Sequence, residues 1–121
     1  MRRLLMLTAL VVGLGGGLAA QDQVYPIGSG VKSPVLIKEV KPRYTKAAMD
    51  RKVQGTVEVD AVVLKDGTVG DVTIKRSLDE DLDQEAIKAT KQWRFKPGTK
   101  DGEAVSVQVQ VELTFTLRDK R

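Results

Sequence analysis

The 121-residue sequence contains no cysteine and no histidine, and its five aromatic residues are one Trp, two Tyr and two Phe. Each absence removes a class of chemistry. Without Cys and His there are no disulfide frameworks, zinc fingers, thiol nucleophiles or Ser/His/Asp triads. A metal or catalytic site would have to be built from carboxylates, hydroxyls and amines alone. So few aromatics offer no stacking platform for bases, and the Lys and Arg residues are interleaved with acids rather than clustered, so no nucleic-acid partner is expected. Neither is a cofactor. The length suits a single domain of about 100 residues.

Residues 1–20 read as a signal peptide. Arg2 and Arg3 precede an apolar run from Leu4 to Leu14, and Gly17 with Ala19, or Ala20 before Gln21, offers a cleavage site. Export predicts a periplasmic protein. The alternative is an uncleaved inner-membrane anchor facing the periplasm, since Leu4 to Ala20 is uncharged and reaches the ~17-residue lower limit of a spanning helix. Four glycines in that stretch favour cleavage, and contact with a membrane is expected only where the segment is retained. Its removal leaves 18 basic against 16 acidic residues. Residues 21–33, with Gly28, Ser29 and Gly30, read as a flexible leader, and the folded domain is expected over 34–121.

What is present in that domain is alternation. Thr56 to Leu64 and Val69 to Arg76 flank Lys65-Asp66-Gly67-Thr68, and Asp-Gly predicts a two-residue hairpin turn because both positions accept positive φ. Folding about Asp66-Gly67 pairs Val59 with Ile74, Ala61 with Val72 and Glu58 with Lys75, leaving one apolar and one polar face. Leu82, Ala86, Ala89 and Trp93 then recur at helical spacing, with Asp81 as the expected cap and Gln84 as its capping-box partner. A shorter helix is expected from Tyr44 to Arg51. Finally Val105, Val107, Val109, Val111, Leu113, Phe115 and Leu117 alternate with polar residues over thirteen positions, about 43 Å of strand at ~3.3 Å each. That exceeds both hairpin strands, so part of it is expected to run past them unpaired. The predicted fold is α+β, a three-stranded antiparallel meander with two helices packed on one face.

These residues resemble the C-terminal domain of the TonB energy-transducer family. The resemblance rests on Pro42-Arg43-Tyr44, Val53-Gln54-Gly55-Thr56-Val57, Asp66-Gly67-Thr68-Val69, Leu82-Asp83, Ala86, Ala89, Trp93-Arg94-Phe95-Lys96-Pro97 and the final strand. Thr45 and Gly98 depart from it, standing where the family commonly has Pro and Ala. The family's pattern of anchor, long Pro-rich spacer and domain is also not repeated. About twenty residues separate the apolar segment from the domain, reaching at most ~70 Å, and the chain has four Pro. The resemblance implies binding of an outer-membrane receptor peptide, or another envelope protein, by strand addition in TonB-dependent transport, without the means to transduce force alone.

The final strand suits that mode physically, because it has no Pro, no Lys and one charge, Glu112, and so lacks the usual protection of an edge. The expected partner-binding residues are Val105, Val107, Gln108, Val109, Gln110, Val111, Glu112, Leu113, Thr114 and Phe115, with Gln108, Gln110, Glu112 and Thr114 flanking the guest. The alternative is a structural or assembly protein that self-pairs through the same edge as a homodimer. Trp93, on the apolar helix stripe, is expected in the core rather than on a ligand. Asp79, Glu80, Asp81 and Asp83 lack the Gly and Glu of a calcium loop and are expected to serve the helix start. Asp60 and Asp71 could in principle form an acid/base pair, but both fall on the wet sheet face. No enzyme activity is expected.

Overall fold

The computed structural model describes residues 23–117; the expected signal peptide falls outside the described residues. In chain order the elements are β1 (Val24–Pro26), β2 (Val35–Lys38), α1 (Lys46–Asp50), β3 (Gly55–Val63), β4 (Val69–Arg76), α2 (Glu80–Lys91), β5 (Arg94–Lys96), β6 (Gly98–Lys100) and β7 (Glu103–Phe115). Within the expected leader, Val24 and Tyr25, both good strand formers, make β1 with Pro26.

Period-two patterning sets the hairpin. Val57, Val59, Ala61 and Val63 of β3 have no exposed surface, and Val59 faces Ile74 and Ala61 faces Val72, as the fold about Asp66-Gly67 predicts. Glu58 faces Arg76 instead of Lys75, because the register shifts between Glu58 and Val59. The turn is also longer than two residues. The Leu64 amide donates to the Thr68 carbonyl at 2.8 Å and the Gly67 amide to the Leu64 carbonyl at 2.9 Å. Asp66 accepts from the Thr68 hydroxyl at 2.6 Å and amide at 3.0 Å, and the hydroxyl bond is the main reason its carboxyl is held below the usual range. Gly67 sits at φ +88°, and a Cβ there would fall 2.1 Å from the Phe95 carbonyl oxygen. Only glycine satisfies both demands.

The main sheet has the order β1–β7–β3–β4, with β6 also paired to β7, while β2 and β5 form a separate antiparallel ribbon. This corrects the expected three-stranded meander. In a meander β4 would be central; here β3 is, because the chain leaves β4 through α2 and returns on the far side of β3. All nine residues of β3 pair with β7, from Gly55 opposite Phe115 to Val63 opposite Val107. The expected overhang of β7 exists past Val107 but is not unpaired: Glu103, Ala104 and Val105 face Lys100, Thr99 and Gly98 of β6. Gly98 permits close approach there, since a Cβ would lie 2.8 Å from the Lys32 carbonyl oxygen.

Both helices cover the apolar sheet face. Ala48 of α1 and Leu82 and Ala86 of α2 share one core with Val57, Val59, Val63, Val111, Leu113, Phe115, Trp93 and Phe95. Thr45 caps α1 by accepting from the Ala48 amide at 3.1 Å. The cap of α2 is Asp79, two residues before the expected Asp81. Asp79 is extended and accepts from the Leu82 amide at 3.2 Å, while Asp83 reaches back to the Leu78 amide at 3.0 Å and accepts from the Ser77 hydroxyl. Asp81 already lies inside the helix, so it is not placed to cap.

Trp93 is 7% exposed, lies beside Phe95 in a tilted pair with ring centroids 6.3 Å apart, and donates its indole N–H to the Val40 carbonyl at 2.8 Å. Trp93→Ala is predicted to cost about 3–5 kcal/mol, a large part of the ~5–15 kcal/mol of a typical domain. A urea denaturation midpoint close to that of the parent chain would contradict this. The α2 cap generates a pH prediction. The Arg51 guanidinium, 2.8 Å from Asp79, holds the Asp79 carboxyl below the usual carboxylate range by hydrogen bonding first and by charge second. A depressed folded value means stabilisation that is complete above the unfolded value of about 4 and lost as the pH falls through the folded one. Asp79→Asn, which keeps a capping oxygen, should therefore melt below the parent chain at pH 7, with the gap closing below about pH 4. A gap independent of pH would overturn the assignment.

Candidate functional site

A strand's backbone groups are satisfied on both edges only where it has a neighbour on both. On one edge β7 is paired with β3 from Val107 to Phe115. On the opposite edge β1 runs parallel to it, with Val24, Tyr25 and Pro26 facing Ser106, Val107 and Gln108. Among the described residues no strand continues β1 along Val109–Phe115.

That stretch borders a groove of about 280 Å³. One wall is β7 itself, through Glu112, Leu113, Thr114 and Phe115; the other is Glu39, Lys41, Pro42 and Tyr44, with Trp93 also lining it. Lining residues from both faces of β7 place the groove at the strand's edge, because neighbouring side chains point to opposite faces. The far wall is fixed by three contacts. The Trp93 indole holds Val40, the Tyr44 hydroxyl donates to the Val53 carbonyl at 2.5 Å, and the Tyr44 ring meets Phe115 edge to face at 5.3 Å. A smaller hollow of about 230 Å³ lies where β1 ends, lined by Pro26, Ile27, Asp60, Lys75, Gln108, Val109 and Gln110. Chemically the larger groove is a slot of mixed polarity beside backbone donors and acceptors, in which Tyr44, Trp93 and Phe115 supply aromatic surface and Glu39, Lys41 and Glu112 supply charge.

The ten residues singled out from sequence all fall on β7, but in different settings. Val105 faces β6, and Val107 and Gln108 face β1. Val111, Leu113 and Phe115 point into the core, whereas Gln108, Gln110, Glu112 and Thr114 are exposed on the opposite face. Two of these polar side chains already have partners: Gln110 donates to Glu58 at 3.2 Å, and the Thr114 and Thr56 hydroxyls lie 3.1 Å apart. The far wall was not anticipated. Pro42 and Tyr44 carry part of the family resemblance, but nothing local shows that they would pack some seventy positions away along the chain. Of the acids at the start of α2, Asp79 and Asp83 bond the backbone ahead of or within the first turn and Asp79 and Asp81 pair with Arg51, and among the described residues no group of three or more potential ligands could hold a metal.

Comparison with known proteins identifies the family. The family model described as Gram-negative bacterial TonB protein C-terminal matches residues 40–117, from the groove wall to the end of the sheet. Protein TonB of Vibrio cholerae is 34% identical over 89 residues, covering 72% of this chain and 36% of that protein. Protein tonB2 of Pseudomonas aeruginosa is 36% identical over 77 residues, covering 63% and 28%, so the chain spans roughly a third of these relatives' length. A solution NMR structure of Pseudomonas aeruginosa TonB CTD superposes with a TM-score of 0.60 at 26% identity, over 79% of this chain and 96% of that one. With the matched residues running from Val40 through both helices to Leu117, the chain belongs to the TonB C-terminal family.

Proposed function

We propose that this domain binds an extended peptide of an outer-membrane receptor in the periplasm, as a strand added to β7, within TonB-dependent transport. The observation that carries the reading is the edge of β7 opposite β3, which from Val109 to Phe115 has no strand partner among the described residues and faces the groove walled by Glu39–Tyr44. Backbone pairing would give affinity, and the aromatic floor would select an apolar residue on the guest's inward side. The role is that of a binding module rather than an enzyme, in which residues 1–20 direct export and coupling to an energy source falls to other components.

Synthetic peptides from the N-terminal segments of outer-membrane receptors test this. A bound peptide should slow amide exchange at residues 109–115 by about tenfold or more, while β4 stays unchanged. If no peptide does so, and those amides instead gain protection with rising protein concentration as a dimer appears in sedimentation, the edge serves self-pairing and the reading fails.

A further inference from the structure

The leader strand β1 lies on the very edge proposed above for docking, and it covers only part of it. Only three residues pair, with Ser106, Val107 and Gln108, and the last is Pro26, whose ring nitrogen faces away from β7 and so ends the strand's outer edge. Val24 is 40% exposed and neither it nor Tyr25 belongs to the core. The Lys100 ammonium 5.8 Å above the Tyr25 ring and the Ser29 hydroxyl, which donates to the Pro26 carbonyl at 2.7 Å, add two further contacts. Such a short strand is weakly held.

Its root, by contrast, is fastened. Lys32 and Thr99 exchange two backbone hydrogen bonds, 2.7 and 3.1 Å long. Between root and strand lie Ile27 to Val31, with Gly28 at φ +91° and Gly30 at φ +75°, positions that swing without steric cost. Detaching β1 therefore removes no residue of the main core cluster, and the fixed root keeps the strand at an effective concentration in the millimolar range beside the edge. That combination describes a tethered, reversible ligand.

We infer that β1 is an intramolecular competitor for the docking edge: it holds Ser106–Gln108 in the free protein and is displaced by a guest long enough to pair along the whole of 106–115. The inference rests on the docking reading. A seven-residue guest confined to Val109–Phe115 coexists with β1, and a ten-residue guest does not. Because a site competent in only a fraction of molecules binds with an affinity reduced by that fraction, β1 weakens long guests and leaves short ones untouched.

Tyr25→Pro removes the central amide of β1 without touching the core, and Tyr25→Phe keeps both amide and ring as a control. The probes are a ten-residue receptor peptide that protects 109–115 and its two seven-residue forms, shortened at either end. The ten-residue peptide should bind Tyr25→Pro about five- to tenfold more tightly than the parent chain or Tyr25→Phe. In the parent chain its binding should speed exchange at the Tyr25 amide, the one in β1 that faces β7. One seven-residue form should bind all three chains equally. Equal affinity of the ten-residue peptide for all three chains, with the Tyr25 amide unaffected while 109–115 gain protection, overturns the competitor role and leaves docking intact. No protection of 109–115 in any chain by any peptide overturns both.

Discussion

The structure depends on how the backbone of one strand is satisfied. At thirteen residues, β7 outlasts the nine of β3, so its hydrogen-bonding groups need several partners. β3 supplies one edge from Val107 onward, β6 takes the end that runs past β3, and β1 takes three residues of the opposite edge. The side-chain alternation that buries Val111, Leu113 and Phe115 fixes the register, because a slip of one residue would turn the core side chains outward. The open length of edge is thus a geometric remainder of packing demands elsewhere in the sheet.

The same packing builds the groove beside that remainder. α2 covers the sheet and delivers Trp93 to the core, and the Trp93 indole fixes the segment leading to Pro42 and Tyr44 alongside β7. Stability and the candidate site therefore share residues. The groove floor cannot be altered without changing core residues, whereas no residue of β1 belongs to the main core cluster. This division suits a module whose recognition rests mainly on backbone pairing, with side chains refining it.

Periodic features were legible in the sequence. Val59 and Ala61 found their expected partners, the helix stripe faced the core with Trp93 just past the end of α2, and the long strand formed with bounds two residues earlier than its alternation suggested. The errors arose where alternatives differ by tertiary contacts. Local pattern does not distinguish a β4-centred from a β3-centred sheet, since both bury the same residues. Asp79 and Asp81 are equally good caps by composition, and only the position of Arg51 and the extended backbone at Asp79 decide between them. β1 and the wall at Glu39–Tyr44 were invisible for the same reason: each is defined by what it lies against, far along the chain.

Residue-resolved amide exchange of the unliganded protein tests the central claim, that β7 carries an open edge, most directly. In a strand paired on one side only, alternate amides point to solvent. From Val109 to Phe115 exchange should alternate between fast and slow, giving way to protection at both Val107 and Gln108, where β1 and β3 flank the strand. Uniform slow exchange through Phe115 would show that something covers the edge, and would contradict that claim.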